Sequence, residues 1–388
     1  MPVHKVLLNG SWQDSSSREV FHAENPATGE VLGDAYPVSS WQDVDVALSA
    51  AAGAAAELAR RGDEVRGEIG KFVTRYAERI EARGADLARV AGEETALPVA
   101  TRLQVVELGR TATQLRQAAA AVVEGSWAMP VIDTKNNIRS MLAAVGPVLV
   151  LGPNNFPLAF NAISGGDFAA GIAAGCPVIA KGHPNHPTTT RLLAEEAFGA
   201  LGETNLPRAM VQVIYHMSND TGLRAAGDGR LGAIAFTGSR RGGMALKAAA
   251  DKAGVPAYLE MSSINPVVIL PGALKERGEK IADEFADSAL MANGQFCTNP
   301  GLTILVKGEE SEAFVAGVAK RFESRAPGAL LSSGVAKGLR EGVAALEKAG
   351  AKRVTGGGET GKTNVCANTL LRVSGREFLG NEGLQTEA

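Results

Sequence analysis

The stretch Gly146–Lys181, GPVLVLGPNNFPLAFNAISGGDFAAGIAAGCPVIAK, carries two short apolar runs, Val148–Leu151 and Val178–Ala180, on either side of a helical stretch over 159–175. Runs this short and this apolar read as strands buried on both faces, and a strand–helix–strand alternation predicts an open parallel sheet covered by helices. The alternation continues outward. A helix is expected over 187–201, strands at Val211–Tyr215 and Leu231–Phe236 with a short helix near 219–226 between them, then a helix over 239–253 and a strand at Ala257–Glu260. A second α/β region begins near 262, with strands at Val267–Leu270 and Leu302–Val306, a helix over 276–292 and another long helix after it. Upstream, residues 3–36 read as short strands and turns, followed by Ala-rich helices at about 43–61, 64–92 and 100–124. In the second of these Val65, Ile69, Phe72, Val73, Tyr76 and Ile80 recur at helical spacing. MPVIDTKNNIRSML, residues 129–142, then places β-formers around Lys135-Asn136-Asn137, the pattern of a hairpin arm.

Composition narrows the function classes. The 388 residues are 45% apolar and 21% charged, and 39 Lys+Arg against 42 Asp+Glu leave a net charge of −3. That balance argues against nucleic acid as a partner, because phosphate backbones recruit clustered excess cations. No apolar run reaches the roughly 18 residues of a membrane span, and the start lacks the apolar stretch of a secretory signal. Cys176, Cys297 and Cys366 make neither a disulfide framework nor a metal knuckle, so a reducing cytoplasm is the expected setting. His4, His22, His183, His186 and His216 show no helical ligand spacing, and no metal site is expected.

Four segments could carry chemistry. Phe236-Thr237-Gly238-Ser239-Arg240-Arg241-Gly242-Gly243 leaves a strand and opens a helix, where free N–H groups and the helix dipole favour a phosphate. Gly238 and Gly243 would allow close approach of a dinucleotide and Ser239 could donate to it; an ordinary glycine-bearing turn reads the same way. Cys297 stands in the polar turn Asn293-Gly294-Gln295-Phe296-Cys297-Thr298-Asn299, a setting for a reactive thiolate rather than a packed thiol. Cys176, between Gly175 and Pro177 at the entrance to a buried strand, reads as structural. Glu260 ends a strand, where open α/β sheets bind ligands, although a solvated loop carboxylate is the commoner case. Asn155, directly after the first parallel strand, could donate to a developing oxyanion or serve a turn.

Taken together and in this order, Asn155-Phe156-Pro157, Val178-Ile179-Ala180-Lys181, Phe236-Thr237-Gly238-Ser239, Glu260 and Gly294-Gln295-Phe296-Cys297-Thr298 resemble the NAD(P)-dependent aldehyde dehydrogenase superfamily. The resemblance implies Cys297 as nucleophile, Glu260 as general base and Asn155 with the Cys297 N–H as oxyanion hole. It implies Lys181 at the adenosine ribose and Ser239 at the pyrophosphate. It also implies an α/β fold of three parts: a Rossmann-like parallel-sheet cofactor domain (1–125 and 145–261), a hairpin oligomerisation arm (126–144) and an α/β catalytic domain (262–388). A homodimer or homotetramer is the expected working state.

A narrower likeness joins Lys181-Gly182-His183-Pro184-Asn185-His186-Pro187, Gly165-Gly166-Asp167 and Glu260-Met261-Ser262-Ser263-Ile264-Asn265-Pro266 to the α-ketoglutaric semialdehyde dehydrogenase branch. Three departures stand out. Met261-Ser262-Ser263 replaces the Leu-Gly-Gly that follows the Glu in most of the superfamily, and Asn154 replaces a Trp. Pro184 stands where NAD-using members have a ribose-binding Glu, which with Lys181 and His183 leads to an expected preference for NADP over NAD. Near the end, Glu387 resembles the Glu of a Glu-x-Phe-Gly motif that holds the nicotinamide ribose, and the sequence stops before the Phe, so the catalytic domain is expected to be incomplete. The implied reaction oxidises an aldehyde, with α-ketoglutaric semialdehyde as the leading substrate and other semialdehydes or fatty aldehydes as alternatives. A non-catalytic cofactor-binding or assembly protein is the rival from another class. An acylating enzyme that passes the thioester to coenzyme A is disfavoured by Glu260.

Overall fold

Five strands lie side by side and parallel in the order Ala257–Glu260, Ala233–Thr237, Val148–Leu151, Val178–Lys181 and Val211–Ile214. The antiparallel strands Val6–Leu8 and Ser11–Gln13 extend the last edge. The parallel part thus starts at the central strand Val148–Leu151, moves toward one edge, returns and builds the other, which is the doubly wound arrangement. Its direction reverses between Val148–Leu151 and Ala233–Thr237, and ligands of such sheets bind outside the carboxyl ends of the strands at that reversal.

This computed structural model describes residues 3–357, 360–361 and 364–387, which divide into two units. The first comprises residues 1–25 and 31–261 and contains the sheet. Its helices form for local reasons. Trp41–Arg61 opens on a capping box in which Ser40 and Asp43 satisfy each other's backbone N–H groups. Val65–Ala82 buries Ile69, Phe72, Val73, Tyr76 and Ile80, the stripe read from the sequence. It packs on Leu108–Glu124 so closely that a Cβ on Gly70 would lie 2.7 Å from Val123. Between these, Val99–Glu107 is wound as a π-helix, with Leu103 N–H donating to Pro98 O five residues back. Such wide turns are frequent at functional sites.

One element differs from its expected extent. The helix expected over 159–175 occupies Gly166–Ala173 only. Residues 152–165 form a long folded loop instead, because their polar side chains bond across it. The Asn161 amide donates to Pro157 O and Thr190 Oγ1, and the Ser164 hydroxyl donates to Leu158 O at 2.6 Å. Gly165 lies where a Cβ would be 2.8 Å from the Phe160 backbone, so the loop closes too tightly for any larger residue.

The hairpin pairs Val131–Asp133 with Ile138–Ser140, turning at Thr134–Asn137 with Asn137 at φ +55°. Val131, Ile132, Ile138, Met141 and Leu142 are all exposed on it.

The second unit comprises residues 262–388 together with Pro26–Glu30, whereas the expected boundary keeps residues 26–30 in the first domain. Asn364 explains part of that exchange, its buried amide donating to Pro26 O at 3.0 Å. Pro266–Ile269 lies parallel to Leu302–Leu305, and Pro271–Ala289 packs against Glu309–Ser324 through Ala282, Ala286, Phe314, Val318 and Phe322. The first of these helices starts at Pro271, earlier than expected, with proline at the position where its missing N–H costs nothing. Lys352–Thr355 and Leu370–Arg372 form a separate antiparallel pair. Among the described residues no helix is long and apolar enough to cross a membrane, and no three His, Cys, Asp or Glu side chains converge as metal ligands.

Candidate active site

Strand register gathers the first unit's candidates on one rim. Leu151 pairs with both Lys181 and Phe236, and Thr237 pairs with Glu260, so the loops that follow these strands leave the sheet together. The strand ends carry Lys181 and Glu260, and the loops carry Asn155, His183, Pro184, Gly238 and Ser239.

Asn155 is half-buried on the first of these loops, and side chains from elsewhere fix the loop. Glu107, fully buried, accepts the N–H groups of Leu158 and Ala159 at 3.0 and 3.1 Å. Arg102 pairs with Glu107 at 3.1 Å and donates to the Asn155 carbonyl at 3.4 Å. Burial pushes the Glu107 carboxyl up and the Arg102 guanidinium down, while their mutual attraction opposes both shifts. His186 holds the loop from the other side, its Nε2 lying 3.1 Å from Pro153 O. A carbonyl only accepts, so Nε2 carries the proton. Burial lowers this imidazole to about 4, which keeps it neutral at physiological pH.

At the neighbouring strand end Lys181 is half-buried, and burial lowers its ammonium to about 8, so it stays charged at neutral pH. His183 is pushed well below the usual histidine range first by burial, and then by repulsion from His186, Lys181 and His216 wherever these are protonated. Its Nδ1 accepts the Asn185 N–H at 3.2 Å, which leaves Nε2–H as a neutral donor. Pro184 is half-buried. The helix that follows, Pro187–Leu201, does not offer its N-terminus to an anion. Glu94, itself buried, already accepts Thr188 N–H, Thr189 N–H and the Thr189 hydroxyl at 2.7 to 2.9 Å.

The glycine turn has its own geometry. The Ser239 hydroxyl caps Arg240–Ala253 by accepting Gly242 N–H at 3.2 Å, and its own proton remains free to donate. Ser239, Arg240 and Arg241 are exposed. Gly238 N–H is spent on Glu260 O at 3.0 Å. A Cβ on Gly238 would sit 2.7 Å from the Phe236 ring, and one on Gly243 2.7 Å from Met261 Sδ. A Cβ at either position would thus meet a side chain, the Phe236 ring or the flexible Met261 thioether, which would have to shift to admit it. Thr237 is half-buried beneath the turn, and Glu260 is exposed at the strand end. Asp167, in the first turn of Gly166–Ala173, has its carboxyl pushed up by burial and then by the charge of Glu260. The sequence offers this second carboxyl only within the Gly165-Gly166-Asp167 stretch of the narrower likeness, with no role attached.

In the second unit Cys297 is exposed on a loop held by side-chain amides. Asn265 Nδ2 donates to Cys297 O at 2.7 Å and to Asn299 O at 3.1 Å. Asn299 donates to Ala289 O and Gly294 O, Gln295 to Ala292 O and Asn293 to Ala329 O. The amides had drawn attention in the sequence only as a polar turn, and their signal was their density around a lone cysteine. Cys176 is buried and its thiol pushed up by burial, while Cys366 is half-buried with its thiol 3.7 Å from Ala336 O. Glu387 is exposed in the coil after the short turn Glu382–Leu384.

The sheet is of the doubly wound α/β class, with polar and charged side chains at its carboxyl rim, where such sheets bind ligands. The aldehyde dehydrogenase family model matches residues 12–375, and the chain belongs to that family. It is 35% identical to alpha-ketoglutaric semialdehyde dehydrogenase 2 of Azospirillum brasilense, over 98% of this chain and 74% of that protein. It is 33% identical to the alpha-ketoglutaric semialdehyde dehydrogenase of Acinetobacter baylyi, over 88% of this chain and 65% of that one. Among solved structures, an aldehyde dehydrogenase from Bacillus cereus superposes with a TM-score of 0.85 at 20% identity, covering 100% of this chain and 77% of that one. HpcC from Thermus thermophilus gives the same score and identity, covering 100% of this chain and 75% of its own. At such identity these two speak for the fold.

Proposed function

We propose that the chain oxidises an aldehyde to a carboxylic acid through a thioester on Cys297, with α-ketoglutaric semialdehyde as substrate and NADP as the preferred cofactor. The observation that carries the reading is the common rim of Asn155, Lys181, Ser239 and Glu260, and the roles proposed for these residues follow the motif resemblance. The substrate follows the two semialdehyde dehydrogenases named above.

The rim suits a dinucleotide. It lies at the winding reversal, with a charged Lys181, a donor on His183 and an exposed helix N-terminus capped by a hydroxyl that can still donate. Lys181 and His183 would hold the adenosine ribose, Ser239 the pyrophosphate and Glu387 the nicotinamide ribose. When bound, the nicotinamide supplies the hydride acceptor. The Cys297 thiolate adds to the aldehyde carbon, and the Asn155 amide with the Cys297 N–H stabilises the oxygen that becomes negative. Once the carbon has been oxidised, Glu260 takes a proton from water, which attacks the thioester and releases the acid. The preference for NADP rests on Pro184, which places neither a carboxylate nor an N–H beside the ribose, and on the Lys181 charge. The exposed apolar hairpin is the arm that pairs with a second copy of the chain.

The test is cofactor reduction by the purified chain with α-ketoglutaric semialdehyde, with and without coenzyme A. Free 2-oxoglutarate formed at the same rate in both supports the reading. NADP binding without turnover of any aldehyde favours the non-catalytic alternative, and a requirement for coenzyme A favours acyl transfer.

A further inference from the structure

Two guanidinium groups share one aromatic pair beside Asn155. Phe156 and Phe160 stand edge to face with centroids 4.8 Å apart. Arg102 lies 4.2 Å from the Phe156 ring centre, and Arg110 lies 4.6 Å from that of Phe160 and 5.8 Å from that of Phe156. Their charges act on each other, since the positive charge of Arg110 helps to lower the Arg102 guanidinium. Two like charges on adjacent rings are costly unless something negative answers them.

The only partial answer among the described residues is Glu107, and it is engaged elsewhere. It pairs with the buried Arg102 and accepts two backbone N–H groups of the Asn155 loop. Arg102 belongs with it, being buried and donating to Asn155 O. Arg110 differs. It is exposed, no described carboxylate lies within ion-pair distance of it, and its stacking on Phe160 holds the planar fork in place. One carboxylate against two cations leaves the cluster one positive charge in excess, at the residue following the proposed oxyanion donor.

We infer that Arg110, held on Phe160 and Phe156 and backed by Arg102, is the recognition group for a carboxylate at the far end of the aldehyde. A stacked guanidinium binds a carboxylate through two parallel N–H donors, and the rings exclude water from the methylene chain between the two ends. The inference rests on the aldehyde-oxidising reading and names the substrate class for it: aldehydes that end in an anion are favoured over uncharged ones of equal length.

The test compares wild type with Arg110→Gln and Arg110→Lys on α-ketoglutaric semialdehyde and on pentanal, with 2-oxoglutarate binding measured by calorimetry. In Arg110→Gln, KM for the semialdehyde should rise about tenfold to a hundredfold, with kcat nearly unchanged and pentanal oxidation unaffected. Arg110→Lys, which keeps the charge and loses the fork, should fall between, and 2-oxoglutarate binding should weaken in parallel. Equal effects on both aldehydes, or unaltered 2-oxoglutarate binding, overturn the inference and leave aldehyde oxidation standing. A wild-type chain that oxidises neither aldehyde yet binds 2-oxoglutarate through Arg110 sinks the oxidation reading and keeps the anion site. One that neither turns over nor binds overturns both.

Discussion

The side-chain amide of Asn265 donates to the backbone carbonyl of Cys297 at 2.7 Å, and the Ser263 hydroxyl donates to Asn265 Oδ1 at 3.0 Å, which turns the amide N–H groups toward the cysteine loop. Ser263 is one of the positions where this chain departs from the Leu-Gly-Gly of most of the superfamily. The departure therefore has a structural partner: it orients the residue that fixes the backbone of the candidate nucleophile.

Asn265 adopts φ +46°, a conformation that glycine also takes readily. Asn265→Gly should thus keep the turn and remove only the amide. The expected result is a kcat lowered by roughly tenfold or more, because small displacements of a reacting atom are costly. Ser263→Ala should give a smaller loss in the same direction. Iodoacetamide labelling of Cys297, followed by peptide mapping, should change rate in both variants while far-ultraviolet circular dichroism stays unchanged.

Glu107 and Arg102 form a buried pair that also anchors the Asn155 loop. Glu107→Ala leaves the Arg102 charge buried without its counterion and two N–H groups without an acceptor, so a loss of about 3–5 kcal/mol is expected. Glu107→Gln keeps an acceptor and should cost less. Urea denaturation midpoints at constant m-value measure both; equal stabilities would mean that water replaces the carboxylate.

Glu94 gives a pH dependence with a definite sign. Burial raises its carboxyl from 4.5 to about 7, against the pull of three hydrogen-bond donors. Between these values the folded chain holds a proton that the unfolded chain has released, so stability falls as pH rises. The contribution is fully present below the unfolded value and is lost as pH passes the folded one, about 3 kcal/mol in all. Glu94→Gln should be less stable at pH 5 and should flatten the slope between pH 5 and pH 8. A wild-type slope that rises through this window, after subtraction of the variant's, would contradict the assignment.

The cofactor preference turns on one position. Pro184→Glu would set a carboxylate beside the proposed 2′-phosphate site, close to Lys181 and His183, and the NADP to NAD ratio of kcat/KM should fall by about tenfold or more. An unmoved ratio would show that Pro184 shapes the loop without taking part in selection.

Sequence reading reached the strands because short apolar runs such as Val148–Leu151 and Val178–Ala180 have one way to be buried, and their ends then locate the rim. It overextended the helix at 159–175 because what stops it is not local. Asn161 reaches Thr190, and Glu107 reaches Leu158 and Ala159, from distant parts of the chain. The same holds for the site. Cys297, Glu260 and Asn155 are legible as residue types in suggestive turns, whereas Arg102, Glu94 and Asn265 act by holding backbone in place and leave no local pattern. Gly238 and Gly243 are legible as a turn motif, while the ring and thioether packed against them come from the tertiary structure and leave no trace in the motif.

The central claim is that Cys297 carries the substrate as a thioester that Glu260 releases. The direct measurement is intact-mass spectrometry of the Glu260→Gln chain, quenched in acid after mixing with α-ketoglutaric semialdehyde and NADP, with the adduct mapped by peptide digestion. The account predicts one acyl group per chain, attached to Cys297, appearing together with one equivalent of reduced cofactor. Reduced cofactor without an adduct, or an acyl group on Cys176 or Cys366, would contradict it.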